Sequence, residues 1–157
     1  YADQETFMRR YGHPKDINQT YLDRPGAYGI ILLGKKILCT IQKTPEPELQ
    51  LPGGGIDLGE NPMMALHREV REETGWRISI LYRFGAYQRF TFMPEYNFHA
   101  RKVCHIYIAR AIRKVGEPTE LDHTAYWSEP RAVINKLASD GDAAFLKTFL
   151  KTRLSSF

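Results

Sequence analysis

Apolar positions along the chain follow two periods, and each marks a different kind of element. Ala27 to Leu33 and Ile37 to Gln42 are runs rich in aliphatic and β-branched residues. Gly34-Lys35-Lys36 separates them, which predicts a β-hairpin. Ile78, Ile80, Tyr82 and Phe84 occupy every second position among mostly polar neighbours, a strand pattern that puts Tyr82 and Phe84 in the core. Tyr87 to Phe92 and Lys102 to Ala111 predict further strands. From Asn61 to Gly75 the apolar spacing turns helical, with Asn61 as cap, Pro62 in the first turn and Gly75 as the stop. Ser128 predicts the cap of a helix running to about Leu137, and Ala143 to Leu154 predicts a last one. Lys43 to Pro52 holds Pro45, Pro47 and Pro52 and predicts a loop. Residues 1–25 are polar and aperiodic up to the turn signal Arg24-Pro25-Gly26, so an N-terminal arm with one short element is expected ahead of a domain over 26–157. Strands on both sides of one central helix, with helices at the end, predict an α+β or mixed α/β fold layered α/β/α.

Composition narrows the class. Hydrophobic residues make up 43% and charged residues 25%, close to globular averages, which excludes collagen-like and wholly disordered chains. The longest aliphatic run, Ile30 to Leu33, is far too short for a bilayer helix. No positively charged start with an apolar core opens the sequence, and Cys39 and Cys104 have neither disulfide-framework nor metal-ligand spacing. A reduced, cytoplasmic protein without a membrane partner is the expectation. The 22 Lys and Arg exceed the 18 Asp and Glu by four, a mild positive balance that favours anionic ligands. Because no basic block exceeds two residues, nucleic acid is the less favoured of those ligands.

The segment with the most chemistry is Gly53-Gly54-Gly55-Ile56-Asp57-Leu58-Gly59-Glu60, followed by Arg68-Glu69-Val70-Arg71-Glu72-Glu73-Thr74-Gly75. On a helix over 61–74, Glu72 and Glu73 fall at roughly −60° and +40° from Glu69. Three carboxylates thus share one arc, with Ala65 one turn earlier in its middle, where a small side chain would leave open volume. Met63, Leu66 and Val70 form an apolar stripe along its border, placing the acids at the margin of the core. Clustered, partly buried carboxylates repel, and a hard divalent cation such as Mg²⁺ relieves them while bridging substrate phosphates. Arg68 stands four residues before Glu72 and can fix it by an ion pair. The glycines let a phosphate approach the backbone and offer a carbonyl as a further ligand, and the helix N-terminus adds positive potential.

Gly54, Glu60, Arg68-Glu69-Val70, Glu72-Glu73 and Gly75-Trp76, at this spacing, resemble the signature box of the Nudix hydrolases. Every fixed identity of that box is present; Trp76 stands where an aliphatic residue is usual. Leu51-Pro52 ahead of the glycines fits the same pattern, and the order of elements extends the resemblance over roughly 26–154. The resemblance implies an α/β/α sandwich with a mixed sheet, and a MutT-like pyrophosphohydrolase acting on a nucleoside diphosphate linked to another group. Such substrates include nucleoside triphosphates, ADP-ribose-like compounds and dinucleoside polyphosphates. It implies Glu69, Glu72 and Glu73 as Mg²⁺ ligands, with Mn²⁺ as a substitute and the Gly53 carbonyl as a further ligand. Glu60 would be a supporting acid and Arg68 the residue that orients the acids. Two alternatives remain open: an RNA 5′-pyrophosphohydrolase, and a nucleotide sensor that does not cut.

Other signals are weaker. Tyr87, Phe90 and Tyr96 flank Met93-Pro94-Glu95 and are candidates for base stacking, with Tyr87 and Phe90 joining Gly54 and Gly55 as expected substrate contacts. The segment 117–123 carries Glu117, Glu120 and Asp122. Glu120 is the preferred general base, since acids committed to a metal keep little basicity; Asp122, Glu117, Glu95 and Glu60 are the alternatives. His67, His99, His105 and His123 lack ligand spacing and are expected in structural or surface roles. The chain is expected to be a monomer or homodimer acting on a small nucleotide.

Overall fold

The computed structural model describes residues 8–155; the start of the expected arm, 1–7, and the last two residues lie outside it. Eight strands form one mixed sheet. They are β1 (Leu22–Asp23), β2 (Gly26–Leu33), β3 (Lys36–Gln42), β4 (Glu48–Gln50), β5 (Gly53–Gly55), β6 (Trp76–Met93), β7 (Phe98–Lys114) and β8 (His123–Ser128). Among the described residues three helices cover it: α1 (Pro62–Thr74), α2 (Pro130–Val133) and α3 (Asp140–Ser155).

Strand alternation splits the core into two layers. Ile30 of β2, Ile37 and Cys39 of β3, and Cys104, Ile106 and Ile108 of β7 face Val133, Leu137, Leu146 and Phe149 from α2, α3 and the turn between them. Their immediate neighbours Ile31, Leu38, Tyr107 and Ala109 point the other way, onto Leu66 and Val70 of α1. The period of two along each strand generates both faces. This is the expected α/β/α layering.

The β2–β3 hairpin pairs through only three residue pairs near its turn, such as Ile31↔Leu38. Beyond them the strands splay. β3 pairs with β4 through Thr40↔Gln50 to Gln42↔Glu48, and β2 pairs with β5 through Gly26↔Gly55 to Tyr28↔Gly53. The expected loop 43–52 therefore ends in a short strand, because the splayed edges leave backbone groups that the returning chain satisfies. Wedging 48–55 into this split carries the glycines up to α1.

Helix α1 has the predicted caps. Met64 N–H donates to Asn61 Oδ1 at 2.9 Å, Pro62 opens the helix, and the chain leaves it at Gly75 with φ 76°. Its C-terminal carbonyls are met from a distance in sequence: the Thr119 and Glu120 amides both donate to the Glu72 carbonyl, at 2.8 and 2.9 Å. That pairing ties the 117–123 segment to the acidic helix.

Several expectations are corrected. Ala65 is fully buried in the core, while Met63 is exposed. Tyr82 is 50% exposed instead of core, because register shifts between Ile80 and Tyr82 and between Arg83 and Gly85 break the alternation. The strands expected over 78–92 are one long β6, and β7 starts earlier, so the two form a hairpin closed at Met93↔Phe98. Ser128 caps no helix: it ends β8, α2 spans only Pro130–Val133, and no side chain caps it. Among the residues of the arm, Arg10 bridges Gln88 on the edge of β6, and Leu22 of β1 pairs with Ala100 of β7.

Candidate functional site

A cleft of about 530 Å³ opens where β5, α1 and the β6–β7 hairpin meet, at the splayed end of the sheet. Gly53, Gly54 and Gly55 form one wall together with Glu69 and Glu73 of α1. The opposite wall carries Tyr87 and Arg89 of β6 and Lys102 and Cys104 of β7. Ser139 and Asp142, at the start of α3, close one end.

The glycines are there for close approach. Gly53 has φ 146°, and a Cβ on it would collide with the backbone of Ala27 and Tyr28. A Cβ on Gly54 would lie 2.6–2.8 Å from the carboxylate atoms of Glu69. Only backbone fits between β2 and that acid.

Arg68 gathers the acids. Its guanidinium donates to Glu60 Oε2 at 2.8 Å and Oε1 at 2.9 Å, to Glu69 Oε1 at 2.9 Å and to Glu72 Oε2 at 3.3 Å. It also donates to the Gly55 carbonyl at 3.0 Å, which locks helix to glycine strand. These hydrogen bonds hold the Glu60 carboxyl down to about 2. Glu69 is raised above the usual carboxylate range, chiefly by burial, although Arg68 opposes the shift.

Glu73 is only 4% exposed, and it receives the Gly53 N–H on Oε1 at 2.9 Å. Its other oxygen lies 3.4 Å from His123 Nδ1, which also meets Thr40 Oγ1 at 3.0 Å. Burial pushes the Glu73 carboxyl well up, and the neighbouring charges of Glu69, Glu120 and Glu72 add to the shift. Burial lowers His123, against the charges of Glu120 and Asp122, which weakens it as an ion-pair partner for Glu73.

The donor set suits a hard divalent cation: carboxylate oxygens on a core margin, mutually repelling, beside backbone with room for a phosphate. As placed, no three His, Cys, Asp or Glu side chains among the described residues converge closely enough to hold an ion. Arg68 draws Glu69 and Glu72 toward itself, while Glu73 rests on Gly53. A cation placed on Glu69 and Glu72 would have to displace part of Arg68 from them.

The remaining expected residues separate. Tyr87 lines the cleft but is 1% exposed; its ring packs on Tyr11 and Phe145, and its hydroxyl donates to Asp142 Oδ1 at 2.7 Å. Phe90 lies outside the cleft, edge-on to Tyr21 at 4.8 Å and lining a hollow of about 220 Å³ beside the arm. Glu120 is exposed on the far side of Glu73, in an adjoining hollow with Trp76 and Trp127, yet close enough for its charge to act on Glu69 and Glu73. Glu95 lines the cleft itself. Cys39 and Cys104 are buried thiols, pushed up to about 12 and about 11 by burial.

Four residues that line the cleft carry no functional signal in the sequence: His123, expected in a structural or surface role, and Arg89, Lys102 and Asp142. His123 could have been found only from its cross-strand partner Gln42, and Asp142 only from its place in the first turn of α3.

Asp142 sits 4% exposed at the floor, and burial raises its carboxyl to about 6. A carboxyl raised by folding gives stability that is complete below its unfolded value, near 4, and is lost as pH climbs through about 6. Asn can still accept the Tyr87 hydroxyl. Asp142→Asn is therefore expected to raise the unfolding temperature at pH 8 and to change it little at pH 4, read by thermal denaturation across that range. A gain of equal size at both pH values would contradict a buried, destabilised carboxylate.

No described helix is long and apolar enough to cross a membrane. A Bacillus subtilis (strain 168) protein whose name proposes an 8-oxo-dGTP diphosphatase is 36% identical over 70 residues, which are 45% of this chain. The match spans about half of that relative, 47% of its length. Among solved structures, a NUDIX hydrolase from Nitrosomonas europaea superposes with a TM-score of 0.69 at 17% identity, covering 83% of this chain and 90% of that one. A MutT protein from Methanosarcina mazei Go1 gives 0.65 at 18% identity, covering 85% and 96%. At these identities the likeness shows a shared fold. The family model for the NUDIX domain matches residues 23–149, so both the splayed sheet and the acidic helix fall inside it, and the chain belongs to the NUDIX domain family.

Proposed function

We propose that this chain is a Mg²⁺-dependent pyrophosphohydrolase that cleaves a phosphoric anhydride in a nucleoside diphosphate linked to a further group. The observation that carries this reading is the seating of Glu69 and Glu73 against Gly53 and Gly54 in one cleft whose far wall is cationic. The name of the Bacillus relative is consistent with a nucleotide substrate.

Glu69, Glu72 and Glu73 would hold the ion, with the Gly53 carbonyl as the candidate backbone ligand. When bound, Mg²⁺ would neutralise phosphate charge and make water a better nucleophile. Arg68 keeps the acids in reach, and Glu60, held ionised by Arg68, anchors that guanidinium to the start of the helix. The glycine wall admits the pyrophosphate to within contact of backbone. Glu120 accepts the proton of the attacking water, the oxygen adds to phosphorus, and the bridging P–O bond breaks with departure of the other phosphate. Positioning and charge stabilisation supply most of the rate.

The test is a phosphate-release screen over nucleoside triphosphates, nucleotide sugars, ADP-ribose, dinucleoside polyphosphates and 5′-triphosphorylated RNA. Turnover of at least one nucleotide, abolished by chelator and restored by Mg²⁺, is the expected result. Undiminished turnover in excess chelator would overturn the metal mechanism. Nucleotide binding without release from any substrate would convert the reading to a sensor.

A further inference from the structure

The cationic wall of the cleft is built in a way that costs stability. Arg89 and Lys102 are direct partners across the antiparallel β6–β7 pair. They lie on the same face as the next same-face pair, Tyr87 and Cys104, and all four side chains line the cleft. Like charges placed directly opposite on a sheet repel. Neither cation has a carboxylate within ion-pair distance among the described residues; the carboxylates whose charge acts on them are Asp142 for Arg89 and Glu95 for Lys102. Burial lowers the proton affinity of Lys102, and Arg89 and Arg24 lower it further. Arg24 lies beside Gly55, its guanidinium 5.1 Å from the centre of the Tyr96 ring. Across the cleft, Glu69 and Glu73 carry the opposite imbalance. A cationic pair and an acidic cluster gathered by Arg68 thus line one cleft with no ion pair between them among the described residues, which is the complement of a ligand holding a cation at one end and spare negative charge at the other.

We propose that Arg89 and Lys102 form an anion subsite that holds the phosphate chain beyond the metal-bridged pyrophosphate, and so select substrates with three or more phosphates. The proposal rests on the hydrolase reading for its substrate but not for its anion site. The charge count favours this class. A nucleoside diphosphate joined to a neutral group has its charge committed at the acidic wall, whereas a triphosphate has a further phosphate to place. Arg89 supplies a planar fork of donors suited to phosphate oxygens, and Lys102 a point charge regaining its full proton affinity beside the anion. Cys104 and Tyr87 below them are held neutral by burial and add no competing charge.

The decisive experiment is calorimetric titration of inorganic tripolyphosphate into the protein in chelator, where catalysis plays no part. Wild type is expected to bind, and R89Q/K102Q to bind at least about tenfold more weakly, in line with loss of charge-assisted hydrogen bonds. R89K/K102R should restore most of the affinity. The control K35Q/K36Q removes the same charge from the exposed β2–β3 turn and should bind as wild type. If R89Q/K102Q fails to fold, K102Q alone carries the test with a severalfold loss. Unchanged binding in the folded variants, or equal loss in the turn control, would overturn the subsite. In turnover, the variants should raise KM for a nucleoside triphosphate more than they lower kcat. The preference for triphosphate over a nucleoside diphosphate hexose should fall at least about fivefold; an unchanged preference would overturn the selectivity. Tripolyphosphate binding through this pair in a chain that turns over no nucleotide would leave the subsite standing and remove the hydrolase reading.

Discussion

Replacing Glu73 with glutamine is expected to lower kcat by about 10²–10³-fold, the usual cost of removing one charge-stabilising group from a site, while the protein becomes no less stable at neutral pH. The two effects have one cause. Glu73 is enclosed by Gly53, His123 and the core, and Glu69, Glu72 and Glu120 surround it with like charge. Its carboxyl is therefore raised on folding, so it contributes stability that is complete at low pH and lost as pH rises through its folded value. Glutamine has no such loss and its carbonyl oxygen can keep the Gly53 N–H. It cannot supply the anionic charge a divalent cation needs. Steady-state kinetics in saturating Mg²⁺, with thermal unfolding at pH 5 and pH 8, reads both effects. Retained activity would remove Glu73 from the metal set; a large drop in stability at pH 8 would show that its charge is compensated in the fold.

Glu120→Gln is the second large effect, a fall of about 10²–10⁴-fold in kcat, as for loss of a general base, with the Mg²⁺ requirement unchanged. The segment that carries Glu120 is anchored by two amides on the Glu72 carbonyl, so its backbone place is set by the helix. The side chain is exposed, unlike that of Glu73. A pH–rate profile that loses its acidic limb in the variant supports proton transfer by this group. A kcat within a few-fold of wild type would move the role to Glu95, which lines the cleft, or to Glu60.

What the chain order determines by itself is the part of the site built by local periodicity. Glu69, Glu72 and Glu73 share an arc because the helix repeats every 3.6 residues. Asn61 and Gly75 bound that helix through contacts a few residues away, and the hairpin at Gly34 needs only its own turn. The strand alternation likewise sorts Ile30 from Ile31 and Cys104 from Tyr107 without reference to the rest of the fold.

Tertiary structure decided what distant segments contribute. Tyr82 left the core because β6 shifts register against β7, a property of the pair and not of either strand. Ser128 stayed in a strand because β3 offered Ile37 as a partner, outweighing a capping signal worth only about 1 kcal/mol. The glycines became a strand because β2 and β3 splay, and Arg68 chose Glu60 and Glu69 along with Glu72 once the turn before the helix folded over it. Arg89 and Lys102 are thirteen positions apart in sequence and face each other only through the register of a long hairpin. Local spacing assembled the acidic wall of the cleft, whereas the cationic wall exists only through pairing across strands, where partner choice is set by packing and hydrogen bonding of the whole sheet.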